Sequence, residues 1–141
     1  MKFAVTGAIA AALFAVGAQA EDPMVMDQPV TISGIETVCT GISESKLDPR
    51  WHAYPVRVEF SNKAAQYVVG AHVVLAKADG TALSQFDCPA SWVLFKLAPG
   101  KYKVTASIGS GPGDTADADF SPPAKGQKRV VLRFTGAEAD Q

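Results

Sequence analysis

The chain has 141 residues, 48% of them hydrophobic and 19% charged, with a formal net charge of -1. That length holds one domain, and that apolar fraction excludes wholesale disorder. With a pI near 6.1 there is no basic surplus to neutralise phosphates, which argues against a nucleic-acid partner.

Lys2 is the only charge before Glu21. After it come an apolar run from Phe3 to Val16, then Ala18-Gln19-Ala20, then Glu21-Asp22-Pro23. A positive start, a short apolar middle and small residues three and one places before a cut make a secretory signal peptide over residues 1–20, cleaved between Ala20 and Glu21. The run is too short to anchor in a bilayer. No Cys follows the cut to take a lipid. The mature chain is therefore expected to be periplasmic or secreted and to carry no membrane anchor. Residues 21–29 read as a flexible tail.

From there the pattern is alternation, with no sustained helical period, and it predicts strands with one buried face. A weak strand over 30–38 is interrupted by Gly34. Asp48-Pro49 looks like a helix cap followed by proline at the first position, and Pro55 limits that helix to a turn near residues 48–53. Val56, Val58 and Phe60 alternate with Arg57 and Glu59. Val73 and Leu75 point inward from a strand over 71–77, Asp79-Gly80 turns it, and a return strand covers 81–86. Trp92-Val93-Leu94-Phe95 is apolar on both faces, as in a strand covered on both sides. Pro99-Gly100 is a turn. Tyr102, Val104, Ala106 and Ile108 then alternate against Lys101, Lys103, Thr105 and Ser107. In the last strand, 128–134, Val130, Leu132 and Phe134 oppose Arg129 and Arg133. About seven short strands and one short helical turn predict an all-β, Ig-like or prealbumin-like β-sandwich over residues 30–135, with 136–141 as a second flexible tail.

Export decides how the two cysteines are read. Cys39 and Cys88 have no third partner, and in an oxidising compartment they are expected to pair. The alternatives are a reactive thiol or half a metal site. Neither finds a Cys-x-x-Cys or a His-rich setting to support it.

The block Gly70-Ala71-His72-Val73-Val74-Leu75-Ala76-Lys77-Ala78-Asp79-Gly80 is followed by Trp92-Val93-Leu94-Phe95-Lys96-Leu97-Ala98-Pro99-Gly100-Lys101-Tyr102-Lys103-Val104-Thr105-Ala106. Together they resemble the carboxypeptidase regulatory-like domains, which are transthyretin-like (prealbumin-like) sandwiches. Cys39-Thr40-Gly41-Ile42, Tyr54-Pro55-Val56-Arg57-Val58-Glu59-Phe60 and Gln66-Tyr67-Val68 are similar to exported bacterial proteins that carry that domain. The resemblance spans residues 38–108 and implies a fold and an accessory role without a catalytic site. A transthyretin-fold hydrolase of purine breakdown shares the architecture, but its His-rich site and C-terminal Tyr-Arg-Gly-Ser are missing here.

Candidate site residues are few. His52 and His72 are the only histidines, and there is no Gly-x-Ser-x-Gly elbow, so the chain is not expected to be an enzyme or to need a cofactor. Alternation turns His72 toward solvent. Met24 and Met26 make a poor soft-metal pair. Gly109 to Asp114 reads as a flexible linker, and Asp114, Asp117 and Asp119 form a weak calcium candidate in an acidic loop, because no EF-hand pattern surrounds them. Trp92 and Tyr102 belong to the core. Trp51, in a polar stretch with Arg50 and His52, is the first choice for an exposed contact, with Tyr54 and Tyr67 beside it. The function expected is a non-catalytic exported module that binds another envelope component, a protein, in part through open sheet edges. The alternative is a small-ligand or glycan binder using exposed aromatics.

Overall fold

The computed structural model describes residues 22–140. The signal-peptide reading falls on residues outside these. Nine strands form two sheets: β1 Val30–Ile32, β2 Ile35–Thr40, β3 Val56–Asn62, β4 Ala71–Lys77, β5 Ala82–Cys88, β6 Trp92–Phe95, β7 Tyr102–Ser107, β8 Thr115–Phe120 and β9 Lys128–Phe134. One sheet has the order β1-β2-β6-β3-β9, the other β5-β4-β7-β8. All neighbours are antiparallel except β3 and β9, which run parallel from Val56↔Lys128 to Asn62↔Phe134. The all-β sandwich is as expected. The strand number is two higher than expected, because Gly34 splits the first strand and because β8 went unread.

β8 lies where a flexible acidic linker was expected. Its sequence, Thr115-Ala-Asp-Ala-Asp-Phe120, does alternate, but its inward side chains are alanines and its outward ones aspartates. Both residue types are depleted in strands. Ala116 and Ala118 suffice because their partners across β7, Ala106 and Val104, already fill the core.

The core lies between the sheets. Val56, Val58, Phe60, Phe95, Leu132 and Phe134 face Val73, Leu75, Phe86, Val104 and Phe120. Phe86 meets Phe95 edge-on across the gap, with ring centroids 6.1 Å apart. Cys39 of β2 and Cys88 of β5 are bonded and fully buried, so the bridge staples one sheet to the other. Gly80 takes φ +95° in the β4–β5 hairpin, while Asp79 Oδ1 accepts the Thr81 N–H at 2.9 Å. The β6 strand is buried on both faces, as its apolar run implied.

Described residues within both segments expected to be loose tails bond to the sandwich. Met24 is 9% exposed and its N–H donates to the Asp87 carbonyl, while the Asp27 N–H donates to the Cys39 carbonyl at 2.8 Å. At the other end a 3₁₀ turn, Ala137–Asp140, buries Ala139, whose carbonyl accepts from Asn62 Nδ2. Met24 is therefore core, unable to pair with the exposed Met26 around a metal. No helix among the described residues is long and apolar enough to cross a membrane.

Candidate functional site

Two 3₁₀ turns, Ser43–Leu47 and Pro49–Ala53, fold over the outer face of the five-stranded sheet. The second forms as its sequence dictates. Asp48 accepts the Arg50 N–H at 2.9 Å and forks its guanidinium, and Pro49 fixes the first turn. This places Trp51 and Tyr54 over Val38 and Leu94 as a second, smaller core. Trp51 is 2% exposed and Tyr54 3%. The expectation of Trp51 as an exposed contact is thus corrected: Arg50 lies over its ring at 4.6 Å, Nε1 donates to the Ser45 carbonyl at 2.7 Å, and Gln127 binds the Trp51 and Tyr54 carbonyls from outside. The polar neighbours seen in the sequence are its lid.

The Tyr54 hydroxyl donates to Glu36. Burial, followed by this bond, pushes the phenol well above its ordinary value. The same bond, assisted by Lys96, holds the Glu36 carboxyl below its own against the opposing cost of desolvation.

Beside this small core lies the one expected contact that does reach solvent. Tyr67 is 47% exposed. The loop after β3 is wound around Asn62, whose Oδ1 accepts the N–H groups of Ala64 and Gln66, both at 2.9 Å. The chain then returns to pair Tyr67 with Ser61, and the Val68 N–H donates to the Phe60 carbonyl. Tyr67 stands edge-on to Trp92 at 6.4 Å, and Lys46 reaches over its ring at 5.3 Å. Trp92 is packed in turn by Arg57, 4.4 Å from its ring. Between them Glu59, only 2% exposed, accepts two bonds from Arg129 at 2.8 and 2.9 Å and lies 2.8 Å from Arg57. Glu59 raises the Arg129 pKa further, through hydrogen bonding first and charge second.

This face therefore carries a fixed series of cations and rings: Lys46, Tyr67, Trp92, Arg57, then Glu59 and Arg129. The chemistry such a surface offers is stacking, cation–π contact and hydrogen bonding. The sequence pattern already set Arg57, Glu59 and Arg129 on outward faces. Nothing local showed that β3 and β9 are neighbours, so the cluster itself was not legible.

The remaining candidates do not converge. His72 Nδ1 lies 2.7 Å from Asp87 Oδ1 and its Nε2 3.1 Å from Gln85 Oε1, all on the outer face of the four-stranded sheet. His52 is exposed on the turn over the opposite sheet, so the sandwich separates the two histidines. Asp117 and Asp119 project outward from β8 while Asp114 is 4% exposed in the loop before it, which breaks up the expected calcium trio. Among the described residues no three His, Cys, Asp or Glu side chains gather to hold a metal.

No family model and no curated protein matches the chain. A solved structure concerning the Caf1A usher C-terminal domain, whose conserved surface hydrophobic clusters are important for F1 antigen assembly, is 13% identical. The match covers 57% of this chain and 98% of that one at a TM-score of 0.36.

Proposed function

We propose that the chain is an exported, non-catalytic β-sandwich of the carboxypeptidase regulatory-like kind that binds another cell-envelope protein. Its binding face is the outer side of the five-stranded sheet around Tyr67. The observation that carries this is the mounting of Tyr67: half-exposed, held edge-on to Trp92, with Lys46 over its ring and Arg57 over the Trp92 ring beside Glu59. Rigid tyrosine and arginine side chains lose little entropy on contact and dominate the energetics of protein interfaces. The Cys39–Cys88 bond supports export, since such bonds persist in oxidising compartments. The strand–turn–strand run through Asp79-Gly80 and Pro99-Gly100 supports the domain kind. The glycan-binding alternative loses its main platform with the burial of Trp51.

The test is in-cell photo-crosslinking from position 67, with the same crosslinker at exposed Lys125 as control. One envelope protein captured from position 67 alone, and lost when Arg57 is changed to Ala, supports the reading. Equal capture from both positions, or none from either, overturns it.

A further inference from the structure

On the open half of the outer face, strand register sets the side chains in rows. Val56, Val58 and Phe60 of β3 and Val130, Leu132 and Phe134 of β9 belong to the core, so the residues between them point outward. The parallel pairing then places Arg57 beside Arg129, Glu59 beside Val131 and Ser61 beside Arg133. On the other side of β3, Trp92 pairs with Glu59 and Tyr67 with Ser61. Two rings thus run along one flank of these rows, and an Arg-x-Val-x-Arg stripe runs along the other.

Positive charge is concentrated here in a chain whose formal net charge is -1. Arg57, Arg129 and Arg133 stand in the rows, and Lys46 lies over the Tyr67 ring. Glu59 is the only carboxylate in the rows; it is 2% exposed and already taken up by Arg57 and Arg129. Arg133 is exposed, and neither it nor Lys46 forms an ion pair among the described residues. Two buried polar groups on the same face, the Ser61 hydroxyl and the Trp92 indole N–H, have no hydrogen-bond partner among the described residues. The face therefore offers unmatched cations beside an exposed ring.

We propose that the partner of this face presents an extended acidic segment, with carboxylates at positions i and i+4 and an apolar side chain between them at i+2. The proposal rests on the reading of the Tyr67 face as the binding face and names the chemistry that face takes. Along β9 the outward residues Arg129, Val131 and Arg133 follow one another at intervals of about 6.6 Å, so the two arginines rise about 13 Å apart. An extended segment laid along β9 has the same two-residue period. Its carboxylates meet the two guanidinium groups, each able to take a carboxylate by two parallel bonds, and its central side chain lies on Val131. Arg133 gains most, because Arg129 already shares Glu59. Complementary charge of this kind selects a partner and speeds its encounter.

The experiment is fluorescence anisotropy of the purified protein with a labelled peptide containing Glu-Thr-Val-Thr-Glu, against one containing Lys-Thr-Val-Thr-Lys, in about 20 mM and about 300 mM sodium chloride. The expected result is saturable binding of the glutamate peptide alone, weakened roughly tenfold by the higher salt and roughly tenfold by Arg133→Glu, which alters an exposed side chain outside the core. Lys77→Glu, on the other sheet, should bind as the native protein does. No binding of the glutamate peptide, equal binding of both peptides, or binding unchanged in Arg133→Glu overturns the proposal. Stronger binding to phosphatidylglycerol vesicles than to the peptide would give the face to a lipid surface, and a dimer that Arg133→Glu abolishes would give it to a second copy; either overturns it as well. Charge-selective peptide binding with no capture from position 67 in cells would sink the envelope-protein reading and leave the acid preference standing. Capture from position 67 that Arg133→Glu leaves untouched would do the reverse.

Discussion

Glu59, 2% exposed in β3, is gripped by both arms of Arg129 across the parallel seam between β3 and β9. The seam sets Arg57 directly beside Arg129, and the carboxylate lies between these two like charges. Removing one partner leaves Glu59 in a dry setting with its compensation halved. Arg129→Ala should therefore lower stability by about 2 kcal/mol, less than for a fully buried pair because Arg129 is half exposed and Arg57 remains. The urea midpoint should drop by roughly 1 M. An unchanged midpoint would mean that the bidentate pair contributes nothing to stability.

Trp51 and Tyr67 separate core from contact. Trp51→Ala empties the small core over Val38 and Leu94 and should cost about 3–5 kcal/mol, seen as a large fall in Tm. Tyr67→Ala should stay within about 1 kcal/mol of the native protein while losing the crosslinked partner. Equal losses of Tm in the two variants would place Tyr67 in the core as well.

The Glu36–Tyr54 bond makes stability depend on pH at both ends. Glu36 is held below its ordinary value of 4.5, so its contribution is complete above pH 4.5 and fades as pH falls through the lower folded value. Asp48, lowered from 3.8 first by the Arg50 side chain and next by the Arg50 N–H, adds to the same acid limb. Tyr54 is raised, so its contribution is complete below pH 10.0 and fades as pH rises toward the higher folded value. Ultraviolet titration should show a late transition, well above pH 10.0, belonging to Tyr54. In Tyr54→Phe that late transition should disappear, and the alkaline loss of stability should flatten. A native protein without that late transition contradicts the bond.

The Cys39–Cys88 bridge closes a loop with a sequence separation of 49. In the chain-entropy model a loop of that size is worth about 4 kcal/mol. Since both sulfurs are buried, the native protein should resist reductant until it opens, and the Cys39→Ser/Cys88→Ser variant should unfold at far lower urea. A variant midpoint within 0.3 M of the native one, taking about 2 kcal/mol per molar as the slope, would show the bridge to be dispensable.

The parts of this fold that were legible in the sequence are those where large apolar side chains alternate with charges. Val56-x-Val58-x-Phe60, Val73-x-Leu75, Tyr102-x-Val104 and Val130-x-Leu132-x-Phe134 all lie on the faces their spacing implied. The pairing of Cys39 with Cys88 followed from compartment and count. What escaped depends on distant neighbours. Alanine suffices in β8 because Val104 and Ala106 are opposite, and Trp51 is buried because its turn lays it over Val38 and Leu94 with Arg50 across its ring. The Arg57–Glu59–Arg129 cluster needs two strands, β3 and β9, that lie far apart in the chain.

The parallel seam has a consequence for how the chain is made. The partners Glu59 and Arg129 are 70 positions apart, so as the protein emerges from the ribosome β3 must wait for nearly everything else before its outer edge is covered. Pairing this remote closes late and slowly. Until then the edge of β3 stands open to other nascent chains, and a product ending before Lys128 never covers it. Shielding that edge during synthesis should raise the yield of folded protein, because the last strand of the sandwich is the one that closes it.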